Sequence, residues 1–195
     1  EHAAVDLRVP TAFFSMEVRP IDLVDHLLCA RVNVSMLDYH AVPMKCTEYE
    51  LASIMESIEQ VNGAPLRVED LPNLTPARVR SRVRLMQKDI PIRFVIVDFI
   101  QLMRPDGKHE NRQHEVASIS RALKVMALEL DVAMLALAQL NRGPETRGDD
   151  DRKPRLSDLR DSGALEQDAD VVIQIYRKGY YHPKDEQGRK DDGVT

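Results

Sequence analysis

A continuous apolar run constrains the fold of this chain more than any other feature, and it extends from Phe94 to Val97, between Arg93 and Asp98. Runs of β-branched and aromatic residues without alternation are typical of strands that are buried on both faces, as in parallel sheets. In open α/β sheets, ligands bind at the carboxyl ends of the strands. Asp98 stands at that end, where a carboxylate can hold the magnesium ion of a nucleotide through water. An aspartate there also commonly forms a turn or caps a helix, so Asp98 alone leaves both interpretations open.

The composition is that of an ordinary globular domain, with 195 residues, 30% of them charged, and a formal net charge of -5. Because the net charge is negative, a nucleic acid could be bound only through a few local basic side chains or backbone amides. The two cysteines, Cys29 and Cys46, form no metal-binding or redox spacing and indicate a reducing compartment. We find no signal peptide and no apolar run long enough to cross a bilayer, so we expect a cytoplasmic protein without a membrane partner.

Predicted strands and helices alternate along the chain. Apart from the central run, the predicted strands are Thr11 to Phe14, Leu66 to Glu69, Val132 to Ala138 and Val171 to Tyr176. Helices are predicted to begin near Pro20, Thr47, Thr75 and Asn111. The alternation favours an α/β fold, a doubly wound and mostly parallel sheet with helices on both faces. We treat residues 1–195 as a single domain and expect residues 141–155 and 177–193 to be mobile loops.

Two of the predicted helices carry contrasting faces. In the helix from Thr47 to Val61, four apolar side chains are predicted to face the core: Leu51, Ile54, Met55 and Ile58. The helix that begins at Thr75 carries four arginines: Arg78, Arg80, Arg82 and Arg84. Such a basic face is commonly just solvated, but it can also contact a partner subunit or DNA.

Polar side chains end three of the predicted strands: Glu17, Asp98 and Gln139. If these strands are parallel and adjacent, the three side chains converge on one crevice. Nucleotide hydrolysis needs a carboxylate that deprotonates water, a second that holds the metal, and a neutral donor near the γ-phosphate. The three ends together therefore predict a nucleotide site. No glycine of the chain fits the G-x-x-x-x-G-K-[ST] loop that binds phosphates in many such sites.

Four segments, in order between about Ala3 and Tyr176, resemble successive motifs of the DnaB-type replicative DNA helicases. They are Phe13 to Glu17, Val95 to Met103, Ala138 to Arg142 and Ser157 to Asp170, of which the last is the most specific. The resemblance implies a RecA-like ATPase domain, the C-terminal motor of a homohexamer that uses ATP and Mg²⁺. By motif position, Glu17 matches the glutamate that activates the hydrolytic water. Asp98 matches the Walker B residue that holds Mg²⁺ through water, and Gln139 matches the sensor of the γ-phosphate.

The same resemblance implies a DNA-binding turn and a set of partners. Arg160, Asp161 and Gly163 match a channel loop that binds the backbone of single-stranded DNA. A glycine amide and one arginine can bind phosphates in a protein that is not basic overall. The family further implies a helicase loader and a primase as partners, and a location at the replication fork in the nucleoid. Two departures are mild: Phe99 stands where the family commonly has Tyr, and Asp161 where it commonly has Glu.

The larger departures concern the ends of the motor. In the family, the P-loop lies upstream of the first residue of this chain and the arginine finger lies downstream of the last, so we expect a partial motor domain. Without the P-loop strand, we expect one side of the central strand to lack a neighbour and the isolated chain to be unstable. One other function stays open, a non-catalytic module that binds DNA or a partner. A related RecA-fold ATPase of recombination or signalling would share such strand ends, but the segment from Arg160 to Asp170 argues against it.

Overall fold

The computed structural model describes residues 1–141 and 153–176, apart from the side chains of residues 160–162. Its strands are β1 (Thr11–Ser15), β2 (Leu66–Asp70), β3 (Phe94–Asp98) and β4 (Ala133–Ala136). Its α-helices are α1 (His2–Val5), α2 (Pro20–Val32), α3 (Met36–Tyr39), α4 (Glu48–Asn62), α5 (Pro76–Met86), α6 (Arg112–Leu130) and α7 (Gly163–Asp168). Two 3₁₀ helices span Ile100–Leu102 and Leu156–Ser162. Of the loops predicted at 141–155 and 177–193, residues 142–152 and 177–193 lie outside the described residues.

The described strands form one parallel sheet in the order β2-β1-β3-β4. One core cluster fills the face under α5 and α6, where Phe14, Val95 and Val97 are fully buried. A smaller cluster joins α2 and the end of α4 to the chain around β2. This arrangement confirms the predicted doubly wound α/β class. The expectation for the central strand is wrong, because β3 is paired on both sides; among the described strands, β2 and β4 have one neighbour each.

All four predicted helix starts are confirmed, and three of them carry side-chain caps. Thr47 and Glu50 form a capping box at α4, while Thr75 and Asn111 accept backbone N–H bonds at the starts of α5 and α6. The predicted inner face of α4 is mostly wrong: Ile54 is buried, but Leu51, Met55 and Ile58 are 47%, 59% and 40% exposed. The buried stripe of α4 consists of Ile54, Ser57 and Val61. A helix can carry two apolar stripes, and periodicity alone does not say which one packs.

Two strand predictions need correction, those for Val132 to Ala138 and for Val171 to Tyr176. The apolar run from Val132 to Ala138 is paired only over Ala133–Ala136, so Gln139 lies three residues beyond the end of β4. Residues 171–176 have no regular secondary structure, and Val171, Ile173 and Ile175 are largely exposed. An apolar run becomes a strand only where a neighbouring strand pairs with its backbone, and none of the described strands does so here. No helix in the described part of the chain is long and apolar enough to cross a membrane.

The arginines of α5 have partners within the chain. Arg82 pairs with Glu69 of β2, and Arg80 and Arg84 both pair with Glu129 of α6. Arg78 donates to the carbonyl oxygen of Pro72, 3.0 Å away. These contacts tie α5 to its neighbours, which favours the solvated-face interpretation over a contact with DNA or a second subunit.

Candidate functional site

The carboxyl ends of β1 and β3 lie side by side. Ser15 and Asp98 are opposite each other in the parallel register, and the Met16 N–H donates to the Asp98 carbonyl oxygen at 3.0 Å. The buried Ser15 hydroxyl accepts the Val18 N–H at 3.0 Å, which fixes the turn that carries the exposed Glu17. Pro20 begins α2 directly after this turn. Sheet order and turn therefore place Glu17 and Asp98 at the same edge, as the sequence predicted.

The proximity of Glu17 affects the electrostatics of Asp98. Partial burial raises the pKa of the Asp98 carboxyl above its usual range, and the negative charge of Glu17 raises it further. Both effects disfavour the ionised carboxylate in the absence of a counter-charge. A divalent cation would relieve both effects. Two carboxyl groups placed in this way favour the binding of a cation at the carboxyl edge of the sheet.

Gln139 is held to the same edge beyond the end of β4. The Leu137 N–H donates to the Val97 carbonyl oxygen, and the Ile100 N–H donates to the Leu137 carbonyl oxygen, both at 3.0 Å. The side chain of Gln139 is exposed. Because β3 lies between β1 and β4, Asp98 stands between the strand ends that lead to Glu17 and Gln139. The predicted adjacency of the three strand ends is confirmed, while the roles of the three side chains stay predictions.

The segment with the most specific motif packs on α6. The carboxylate of Asp168 accepts a hydrogen bond from the Ser120 hydroxyl at 2.8 Å, and Lys124 pairs with Asp170 at 2.6 Å. Asp158, which is 3% exposed, accepts the Arg155 N–H at 2.7 Å and closes the turn that begins the 3₁₀ helix. These contacts position the backbone of the predicted DNA-binding turn, which follows Asp158 and ends at the exposed Gly163.

A cavity of about 210 Å³ lies between the carboxyl edge of the sheet and this turn. Its lining includes Gln101, Arg112, Gln139, Asn141 and Asp158. Gln101 and Arg112 were not recognised from the sequence as residues of the site. The available signal was a single amide side chain, at position 101, within an otherwise apolar run from Phe99 to Met103.

The chemistry of the edge fits a magnesium ion that is bound together with phosphates. Among the described residues, no group of three or more His, Cys, Asp or Glu side chains could hold a metal ion by itself. Mg²⁺ commonly takes only one or two carboxylates from the protein and completes its shell with phosphates and water. Asp98, half-buried beside a second carboxyl group, meets that requirement.

The raised pKa of Asp98 predicts that Asp98→Asn stabilises the metal-free protein. A carboxyl whose pKa is raised by folding destabilises the fold once the pH exceeds that raised value, whereas below the unfolded value the carboxyl is neutral in both states. The melting temperature should therefore rise at neutral pH. The gain should disappear below about pH 4. Thermal melts of both proteins in a chelating buffer measure this, and a lower melting temperature of the variant at neutral pH would contradict it.

Comparisons with known proteins agree with the geometry. A family model described as DnaB-like helicase C terminal domain matches residues 1–194. The replicative DNA helicase DnaB of Leifsonia xyli subsp. xyli (strain CTCB07) is 38% identical over 193 residues, which cover 99% of this chain and 41% of that protein. The replicative DNA helicase DnaB of Mycobacterium intracellulare is 39% identical over 187 residues, which cover 96% of this chain and 32% of that protein. The chain thus spans well under half the length of these relatives.

Solved structures show the same fold. One is the structure of a DnaB-like replicative helicase and its interactions with primase, with a TM-score of 0.86 and 30% identity over 93% of this chain and 43% of that one. Another is a separately solved ATPase domain, with a TM-score of 0.85 and 28% identity over 97% of this chain and 70% of that one. Both likenesses confirm the predicted RecA-like arrangement of the parallel sheet.

Proposed function

The chain belongs to the family of DnaB-like helicase C-terminal domains, and we propose that it is the motor domain that couples ATP hydrolysis to translocation on single-stranded DNA and to duplex unwinding. One observation carries this proposal: Glu17, Asp98 and Gln139 lie at or just beyond the carboxyl ends of three adjacent parallel strands, at one edge of the sheet. Neither a capping role nor a turn role for the individual residues requires that they share this edge. A shared edge is what hydrolysis of a nucleotide requires.

Each of the three side chains has its own role in the proposed reaction. The Glu17 carboxylate, which is exposed at the edge, orients the attacking water and accepts its proton. Asp98 would hold Mg²⁺ through water, and the ion would supply positive charge beside the phosphates of ATP. Gln139 donates its side-chain amide N–H to the γ-phosphate, so its surroundings differ between the ATP and ADP states.

The DNA part of the proposal rests on the segment that packs on α6. Arg160, Asp161 and Gly163 follow the buried Asp158, and they would bind the DNA backbone rather than the bases. Such binding is independent of sequence and weakens with salt. We further propose a homohexameric ring, a helicase loader and a primase as partners, and action in the cytoplasm at the replication fork. Relatives that are replicative helicases support action at the replication fork, and the related helicase solved for its interactions with primase supports the primase. The ring and the loader rest on the family resemblance.

ATP hydrolysis with and without single-stranded DNA tests the proposal. The assay should compare the longest natural protein that contains this chain with the 195-residue chain itself. We expect the natural protein to hydrolyse ATP faster when DNA is added, and the 195-residue chain to be inactive because its sequence contains no phosphate-binding G-x-x-x-x-G-K-[ST] loop. If both proteins are inactive, the non-catalytic module becomes the better assignment. Magnesium-dependent ATP binding by the 195-residue chain would count against that module.

A further inference from the structure

The side chain of Gln101 is paired with the backbone of Gln139 by two hydrogen bonds. The Gln101 Nε2 donates to the Gln139 carbonyl oxygen at 3.1 Å, and the Gln139 N–H donates to the Gln101 Oε1 at 3.2 Å. A side-chain amide that binds both polar groups of one residue imitates a neighbouring strand. The pairing between the segments that follow β3 and β4 therefore continues past the last ladder residue, Ala136, to Gln139.

The same stretch is tied to α6 and to the turn at Asp158. Arg112, in the first turn of α6, donates to the Gln101 carbonyl oxygen and also pairs with Glu115. Two residues beyond Gln139, the Asn141 N–H donates to the Asp158 carbonyl oxygen at 3.1 Å. Short contacts thus connect Gln101, Gln139, Asn141 and Asp158 around one cavity.

A second glutamine shows that this kind of bridge can also be purely structural. Gln87 Nε2 donates to the carbonyl oxygens of Ile92 and Leu130, at 3.2 and 3.3 Å. Ile92 and Leu130 precede β3 and β4, so Gln87 acts at the amino edge of the sheet, opposite to Glu17 and Asp98. Gln101 differs from Gln87 in what it holds, namely the residue that stands next to the proposed nucleotide site.

We propose that Gln101 is a positioning residue that fixes the backbone of Gln139 and so connects the proposed nucleotide site to the DNA-binding turn through Asn141 and Asp158. The inference rests on the proposed function, because Gln139 is assigned there as the sensor of the γ-phosphate. If the Gln139 backbone is held, a change at its side chain is passed along the chain to Asn141 and then, through the hydrogen bond from the Asn141 N–H to the Asp158 carbonyl oxygen, to Asp158. If it is not held, the same change is absorbed locally, and DNA no longer affects hydrolysis.

Gln101→Met and Gln87→Met form a matched pair of variants for the test. Each replacement keeps the length of the side chain and removes two hydrogen bonds, at the carboxyl edge in one variant and at the amino edge in the other. In the nucleotide-free natural protein, we expect Gln101→Met to speed amide hydrogen exchange at Gln139 by about tenfold, because the N–H loses its acceptor. Gln87→Met should leave exchange at Gln139 unchanged.

The second measurement is the steady-state ATPase rate of the same proteins. Gln101→Met should lower the DNA-stimulated rate by about tenfold, because the loss of its two hydrogen bonds leaves the Gln139 backbone unheld. Its KM for ATP should stay that of the wild type, and Gln87→Met should retain the full stimulation. If Gln101→Met does not fold, Gln101→Asn, which keeps the amide but is one methylene too short for both contacts, is expected to show the same two effects.

The outcomes distinguish a failure of the role proposed for Gln101 from a failure of the proposed function. Unchanged exchange at Gln139 in Gln101→Met would show that Gln101 does not hold this backbone. Faster exchange together with full DNA stimulation would reduce Gln101 to a structural role. If the wild-type natural protein shows no DNA stimulation at all, the proposed function fails. The exchange experiment then still decides whether Gln101 positions Gln139.

Discussion

Glu17→Gln is expected to lower ATP turnover in the presence of DNA by about 10²–10⁴-fold, the range for loss of a general base. Glutamine has nearly the size of glutamate, but its amide cannot accept a proton from water at neutral pH. ATP binding should be retained, since the metal-binding carboxylate of Asp98 is still present. Steady-state hydrolysis and binding of a fluorescent ATP analogue, both in the natural protein, measure the two effects separately.

The control for this variant is Glu59→Gln, an equal change at an exposed glutamate of α4. We expect it to leave turnover unchanged. Near-normal turnover in Glu17→Gln would remove Glu17 from the mechanism. An equal loss in both variants would point to the change in net charge rather than to a position in the site.

Glu17→Gln has a second consequence that does not depend on the reaction. The charge of Glu17 raises the pKa of Asp98, although partial burial contributes more. Removing this charge should move the pKa of Asp98 back toward its usual range without reaching it. The carboxyl carbon shift of Asp98, followed by NMR across the acidic pH range, reports this change. An unaltered titration would show that the two carboxyl groups do not interact in solution.

The sequence predicted those parts of the fold that depend on local chemistry. The run from Phe94 to Val97 is a strand, as its β-branched and aromatic residues predicted, but only Val95 and Val97 are fully buried, while Phe94 and Ile96 on the other face are half-buried. Thr47, Thr75 and Asn111 cap helices because their side chains satisfy backbone N–H groups. The three strand ends could also be predicted to share an edge, because the carboxyl ends of parallel strands lie at the same side of a sheet.

The remaining features depend on contacts between distant parts of the chain. Ile54 and Ile58 are equally apolar in the sequence, and only packing against other parts of the chain determines that the first is buried and the second is 40% exposed. The apolar residues from Val171 to Ile175 form no strand, because pairing requires a neighbour that the pattern does not supply. The bond between Gln101 and Gln139 joins residues 38 positions apart and has no periodic signal. Such side chain-to-backbone contacts fix the geometry of a site, and they cannot be predicted from sequence patterns.

Arg160→Ala is expected to weaken the binding of single-stranded DNA by about tenfold at low salt, because one phosphate contact is lost. The slope of log affinity against log salt concentration should fall in magnitude by about 0.7, the value for one contact to a single strand. Fluorescence anisotropy with labelled oligo(dT) at several salt concentrations measures both quantities in the natural protein. Binding should weaken equally on all base sequences, since the contact is to the backbone.

The matched control is Arg93→Ala, which removes the same charge at the amino edge of the sheet, where Arg93 pairs with Asp131 at 3.0 Å. The affinity of Arg93→Ala for single-stranded DNA, and the slope of that affinity with salt, should equal those of the wild type. If both variants weaken binding equally, DNA responds to the overall charge of the domain and not to the turn at Arg160.

Gly163→Ala extends the test from the side chain to the backbone of the same turn. Gly163 has helical angles, φ -53° and ψ -24°, and an added methyl group would meet no described atom within 4 Å. The substitution should therefore preserve the fold and favour the helix by up to about 1 kcal/mol. If a DNA phosphate approaches the Gly163 amide, the methyl group obstructs it and affinity falls while the melting temperature does not. Wild-type affinity in this variant would place the DNA contact on the side chains of the turn, and loss of affinity in a stable protein would place it on the backbone.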